Sequence, residues 1–398
     1  MTVRAALILA LAAVQALASA TSQATERPPP PVDEHAIHSV SSSAILGGEH
    51  LARLRRHVQR ALRGETVTIG AIGGSITAGT GASQPASSYV ERVVSWWRTH
   101  VDPSVQVVNA GVGATGSNYG ALRARRDLLE KSPDIVLVEF AVNDPDDARS
   151  TEWLEGLCRQ ILSQPNQPAV ILVFMVARAG WSAEPHQRAV GVHYGLPMVS
   201  LREAGALYAA AAGISRDALF VDVVHPSDEG HGLAAALVTR VLERAVRVAA
   251  ERPSTNRPAK LRRPLISDRY QRVALLEAAN LRPERNVGWT FDPARSAWVA
   301  DKPGSVIEFR IAGRAPVLMD WAMRGPMGVA AVSVDGGDAA TRRDAYVEDA
   351  GSGWRVTTEL TAPADRRSHL VRVEITPEHA AASSGHEFRI LGVGAADA

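Results

Sequence analysis

The chain has 398 residues, 46% of them hydrophobic, so it carries enough apolar material for a real core and is long enough for two domains. Its 43 Lys and Arg residues balance 42 Asp and Glu residues, leaving a net charge of +1 and no global electrostatic case for nucleic acid or an acidic membrane surface. Cys158 is the single cysteine, which excludes an intrachain disulfide and a CxxC zinc site.

In chain order the first feature is Arg4 followed by the apolar run "AALILALAAVQALA" and the small-x-small pattern Ala18-Ser19-Ala20. This predicts a signal peptide over residues 1–20, a mature chain from Thr21 and a secreted or periplasmic location. The run is too short, and too interrupted by Gln15, for a membrane span, and no cysteine follows it to carry a lipid. Residues 21–44 combine a proline run with Ser and Thr and read as an extended tether, in which His35 and His38 are solvated.

From residue 45 the pattern alternates. Short β-branched runs ("TVTIGAIG", "VQVVNAG", "DIVLVEFAV", "AVILVFMVA") are separated by helical segments, and the last helix begins near "HGLAAALVTRVLERAV". Near-continuous apolar strands between amphipathic helices predict a doubly wound α/β domain with a parallel sheet over residues 45–250. Residues 251–285, rich in Pro and Arg, read as a solvated linker. Residues 286–396 lose the helical period and show short alternating runs between Gly, Pro and Asp turns, which predicts an antiparallel β-sandwich.

Reactive groups in an open parallel sheet gather beyond the carboxyl ends of the strands. The first strand exits at Ser75, the second at "NAGVGATGS", the third at Asn143, and the segment "LFVDVVHPSDEGH" supplies Asp222 and His225. Asp222 is placed to fix the tautomer of His225, His225 to take the proton of Ser75 as it attacks an acyl carbon. The side chain of Asn143 and backbone N–H groups of Ser75 and near Gly113 suit the resulting oxyanion. Each residue also has a plain structural reading. Ser75 suits a turn, Asn143 and Asp144 a cap for the following helix, and Asp222 and His225 a local pair. Their joint appearance at successive exits favours chemistry. His231 reads as structural, and Asp146 and Asp147 as first-turn helix charges rather than metal ligands.

The four stretches "GGSIT", "NAGVGATG", "AVND" and "DVVHP" resemble, in order, the blocks of the SGNH (GDSL-type) hydrolase family. The resemblance implies a flavodoxin-like three-layer domain and ester hydrolysis through Ser75, Asp222 and His225, with Asn143 in the oxyanion hole and no cofactor or metal. It departs from the family pattern at Gly74 in "GGSI" and at Ala141, and it puts the oxyanion glycine of the family on Ala114, next to Gly113. A rival reading is a dinucleotide fingerprint in "GVGATG" with Glu139 as the ribose acid, disfavoured by the predicted export.

The C-terminal stretch is similar to the jelly-roll modules of carbohydrate esterases, and four tryptophans (Trp289, Trp298, Trp321, Trp354) lie in it. Trp181 reads as either a lining residue of the acyl pocket or a loop anchor. The expectation is an exported esterase that removes small acyl groups, chiefly acetyl, from an acylated glycan. The alternatives are a glycan O-acyltransferase and an inactive carbohydrate-binding surface protein. Lipase action is disfavoured because no long apolar lid is evident, and the oligomeric state is left open.

Overall fold

The computed structural model describes residues 29–397 apart from 48–50, 252–259, 338–339, 349–352 and 364–367. The expected signal peptide, residues 1–20, lies outside them. The first part of the chain forms α1 (Glu34–Ala44), β1 (Ile45–Leu46), α2 (Ala52–Leu62), β2 (Thr68–Gly73), the short α3 (Ser75–Ala78) and α4 (Tyr89–His100). It continues through β3 (Gln106–Gly111), α5 (Ser117–Asp127), β4 (Ile135–Glu139), α6 (Ala148–Leu162) and β5 (Ala169–Phe174). It closes with α7 (Glu184–Tyr194), β6 (Met198–Ser200), α8 (Leu201–Ala211) and α9 (Asp228–Glu251).

Strands β6, β5, β4, β2 and β3 lie side by side in that order and in parallel, with β1 antiparallel on the outer edge of β6. Alternate residues of each strand enter opposite cores, as the two-residue period of a strand requires. Ile69, Leu137 and Ile171 face one core, with α1, α2, α4, α8 and α9. Ile72, Val138 and Leu172 face the other, with α5, α6 and α7. The expected doubly wound, flavodoxin-like fold is therefore present, and its strand order reverses at β2. That reversal opens a crevice at the carboxyl ends of β2 and β4.

The second part is the expected antiparallel β-sandwich. One sheet runs β15 (Trp354–Glu359), β12 (Ala315–Ala322), β17 (Phe388–Ala396), β10 (Ala297–Ala300), β9 (Thr290–Asp292). The other runs β14 (Thr341–Asp344), β13 (Val329–Val334), β16 (Ser368–Ile375), β11 (Val306–Ala312), β8 (Arg285–Val287). Phe309, Val371, Phe388 and Ile390 are among the side chains that fill the space between them.

Two expected linkers contain structured segments among the described residues. Residues 34–44, read as part of a tether, are α1, opened by the Asp33 carboxylate accepting from Ala36 N at 2.9 Å. Its Ala36, Ile37, Val40 and Ala44 are buried against the α/β core, while His35 and His38 are exposed as expected. Serines between the apolar positions hid the helical period. Likewise β7 (Val273–Glu277), placed by sequence in the linker 251–285, pairs along β17 from Val273↔Ala396 to Glu277↔Gly392. The strip before it packs on α6, where the buried Glu155 carboxylate accepts from the backbone N–H groups of Leu265, Ile266 and Ser267.

The domains meet on α5 and α6. Tyr119 and Leu122 pack with Val317 and Met319 of β12, Arg126 pairs with Glu277, and Glu359 accepts from Trp153 Nε1 at 2.7 Å and from the Tyr270 hydroxyl.

If α1 is an integral part of the α/β core, Ile37→Ala should cost about 2–5 kcal/mol of stability, as for other buried aliphatic truncations. Denaturant unfolding of the full chain measures this. A tether would lose nothing.

Candidate active site

The chain leaves β2 through two glycines because nothing larger fits. A Cβ on Gly73 would overlap Thr77 Oγ1 and the Glu139 carbonyl, and a Cβ on Gly74 would overlap Asn143 Oδ1. Close approach, and not a left-handed turn, demands them: Gly74 has extended φ and ψ of −83° and −151°. Ser75 follows as the first residue of α3, half-buried at the crevice. Asn109 on β3 ties the neighbouring strand to this turn by donating to Thr77 O at 2.8 Å.

His225 Nε2 lies 2.9 Å from Ser75 Oγ, and His225 Nδ1 lies 2.7 Å from Asp222 Oδ2. The other carboxylate oxygen accepts from the backbone N–H groups of Val224 and His225, both at 2.7 Å. Asp222 and His225 sit on a turn ahead of α9, closed by Val221 N donating to His225 O at 3.0 Å. Partial burial pushes the Asp222 carboxyl upward, but these backbone bonds and the imidazole outweigh it and hold the group below the usual carboxylate range. An ionised Asp222 takes a proton donor at Nδ1, which leaves the lone pair of Nε2 facing Ser75 Oγ.

On the opposite side, Asn143 ends a tight turn, its N–H donating to Phe140 O at 3.0 Å. Its Oδ1 lies nearer the Cβ position of Gly74 than its Nδ2 does. Gly113 and Ala114 both border the site. The Cβ position of Gly113 is 3.8 Å from Ser75 Cβ, while Ala114, with φ of 54°, lines the cleft beside Asn143.

Asp144 does not cap the following helix. Asp147 does, accepting from Arg149 N at 2.9 Å. Asp144 instead reaches the N-terminus of α5, accepting from Ser117 N at 2.7 Å, Ser117 Oγ at 2.5 Å and Gln187 Nε2 at 2.8 Å. Burial pushes its carboxyl up to about 7 despite those donors. Its carboxylate occupies the helix N-terminus that a dinucleotide pyrophosphate needs, and Glu139 is fully buried, so the fingerprint reading of "GVGATG" fails.

His231 is structural, as expected. It accepts from Tyr89 N at 3.2 Å through Nδ1, and its Nε2 lies 3.1 Å from Thr80 O. Trp181 is 48% exposed, on a loop joined to the Asp222 turn by Arg178 N donating to Val223 O at 3.0 Å. Of the four C-terminal tryptophans, Trp289 is core, whereas Trp354 opens onto the cleft. That cleft, about 450 Å³, runs from Ala114 and Asn143 past Trp153 to Trp354, Arg355 and Thr357 of β15.

Residues 71–233 match the model of the GDSL-like lipase/acylhydrolase family. The α/β domain belongs to that family. The GDSL domain is accordingly that of an SGNH-type carboxylic ester hydrolase. A solved two-domain esterase (CEX) active on acetylated mannans is similar over both domains, with 28% identity, 90% of this chain and 98% of that chain covered, and a TM-score of 0.78. The same esterase co-crystallised with mannopentaose gives the same identity and coverage and a TM-score of 0.77. Axe2, an acetylxylan esterase from Geobacillus stearothermophilus, matches at 21% identity over 44% of this chain and 94% of its own, with a TM-score of 0.35. No curated protein matches the chain.

Within the GDSL domain, burial pushes His231 down from the usual 6.5 to about 4. The unfolded chain therefore takes up a proton between about pH 6.5 and 4 that the folded chain refuses, so this group's share of stability is present above that window and lost as pH falls through it. It amounts to about 3 kcal/mol. Denaturant unfolding across this range should show a flatter acid limb for His231→Asn than for the wild type.

Proposed function

We propose that the chain removes acetyl groups from a polysaccharide, with Ser75 as nucleophile, His225 as general base and then acid, and Asp222 as the group that orients and stabilises the imidazole. The observation that carries this reading is the continuous line Ser75 Oγ, His225 Nε2, His225 Nδ1, Asp222 Oδ2, with separations of 2.9 and 2.7 Å. Ser75 Oγ adds to the acetyl carbonyl carbon as its proton passes to Nε2. The developing oxyanion is met by the N–H groups of Ser75 and of Gly113 or Ala114, and by Asn143 Nδ2. Collapse expels the sugar hydroxyl, which takes the proton from His225. Water, activated by the same imidazole, then releases acetate.

The glycan assignment rests on the cleft. Its walls come from both domains and combine Trp153 and Trp354 with polar groups, a surface on which sugar rings stack and hydrogen-bond. The neighbouring esterase active on acetylated mannans spans the same two domains. Among the described residues no helix is long and apolar enough to cross a membrane, and the export signal proposed for residues 1–20 suits an extracellular polymer.

Acetate release from acetylated mannan and other acetylated polysaccharides, with p-nitrophenyl acetate in parallel, tests the reading. Ser75→Ala should lose about 10⁴-fold or more in kcat on both substrate types, and Asn143→Ala roughly 10²-fold. Unchanged rates in Ser75→Ala would refute the mechanism. Adding a sugar acceptor separates hydrolysis from acyl transfer, since transfer yields an acetylated acceptor in place of acetate.

Trp354→Ala should raise KM for the acetylated polysaccharide about tenfold, the loss of one stacking contact, and leave p-nitrophenyl acetate kinetics unchanged. Equal effects on both substrates would argue against a sugar contact there.

A further inference from the structure

Among the described residues, the ionisable side chains on the cleft are Asp144 and Arg355. Asp144 is buried, with both oxygens taken by Ser117 and Gln187. Arg355, on β15, is half-buried, and no carboxylate among the described residues meets it; its guanidinium lies over the Trp321 ring, 5.9 Å from the centroid. Other half-buried arginines of the sandwich each have an acid: Arg343 has Asp320, Arg372 has Glu308 and Arg389 has Glu387. Arg149, over the Trp153 ring at the other end of the cleft, is paired with Asp147.

The strand register sets where this arginine points. Residues opposite one another across an antiparallel pair share a face, and every second residue returns to it. Val317↔Glu359, Met319↔Thr357 and Trp321↔Arg355 are therefore successive pairs on one face of β12 and β15. That face lies on the α/β domain: Val317 and Met319 pack with Tyr119 and Leu122, and Glu359 accepts from Trp153. At the far end of the row, Arg355 and Thr357 wall the cleft whose other side holds Ala114 and Asn143. Trp321 is fixed behind Arg355 by the close approach of Gly353, where a Cβ would overlap the indole nitrogen. The edge strand of the sandwich thus holds a cation, backed by an indole, over the groove beside Ser75.

We propose that Arg355 binds a carboxylate on a sugar unit near the acetylated one, so that the substrate is an acetylated polysaccharide containing uronate units. A guanidinium matches a carboxylate by two parallel N–H bonds, and stacking on an indole face leaves its N–H edge free to make them. Partial removal from water strengthens that pairing, and it also makes a guanidinium without a carboxylate costly unless a ligand supplies one. Neutral side chains on the same walls, such as Asn118 and Thr357, suffice for sugar hydroxyls. The inference rests on the acetyl esterase reading above and narrows its substrate.

The test compares a polyuronate with its carboxyl-reduced form, both chemically acetylated to the same degree, by acetate release with the full chain as wild type, Arg355→Gln and Ser75→Ala. The quantity read is the ratio of kcat/KM on the acidic polymer to that on the reduced polymer, which cancels any loss of folded protein. In the wild type it should be about tenfold, carried by KM, and in Arg355→Gln it should fall to about one. A wild-type ratio near or below one overturns the proposal, and it decides the matter alone if Arg355→Gln does not fold. A tenfold ratio that survives in Arg355→Gln overturns it too. p-Nitrophenyl acetate in parallel separates this failure from that of the reading beneath it. Cleavage of that ester with no acetate from either polymer, or wild-type rates in Ser75→Ala, would defeat both, whereas acetate released equally from the two polymers with Ser75→Ala inactive defeats this one only.

Discussion

The site depends on a lack of clearance where β2 ends. Neither Gly73 nor Gly74 can carry a side chain, because Thr77, the Glu139 carbonyl and Asn143 already fill the space. That contact sets the geometry of three strand ends at once. β4 brings Asn143 against the Ser75 turn, and β3 is pinned to it by Asn109 donating to Thr77 and by Arg123 bridging Ala110 and Gly73. Ser75, the Gly113–Ala114 loop and Asn143 thus share one rigid frame. The His225 turn comes from far along the chain and reaches that frame as a separate piece. Groups that must hold within a fraction of an ångström are served by such elements better than by free loops.

The same frame sorts its acids by environment. Asp222 lies on an exposed turn with two backbone donors and an imidazole, which keeps it ionised and suited to steadying a positive His225. Glu139 and Asp144 lie in dry space, and burial raises both to about 7. Carboxyl groups of one site pushed in opposite directions take different tasks. Here the division runs between a charge beside His225 and two buried carboxyls, one bonded to Thr77 and the other to Ser117 and Gln187. His231, held neutral by burial beneath the same turn, adds no competing positive charge.

Much of this was legible in the residues. β4 and β5 read as parallel strands because every position is apolar or small up to the final Glu139, and Ser75, Asn143, Asp222 and His225 stand at exits that only the fold brings together. The misread segments share a cause: local composition spoke against a tertiary contact that lay elsewhere. Serines and histidines masked α1, whose partner is the α/β core beyond it, and arginines and prolines masked β7, whose partner β17 lies more than a hundred residues on. Arg123 looks like a surface charge in "ALRARRD". Its buried guanidinium donates to two carbonyls, 13 and 50 residues away, and to Asp127. A glutamate closing an all-apolar strand is the one local sign of a buried acid, and in the sequence it has a role only in the disfavoured dinucleotide reading.

The position of the sandwich was not legible at all, yet it shapes the cleft. The interface joins an apolar patch, Tyr119 and Leu122 against Val317 and Met319, to a polar one in which Glu359 takes both Trp153 and Tyr270. Apolar packing alone tolerates sliding, whereas a carboxylate shared by an indole and a phenol fixes one docking orientation. Because Glu359 is the last residue of β15, fixing it also fixes Trp354, Arg355 and Thr357 across from Asn143. Trp153 takes part in both, bonding Glu359 with its nitrogen while its ring lines the cleft. An open trough with polar and aromatic walls, rather than a deep apolar tunnel, suits a chain of sugar rings better than a lipid tail.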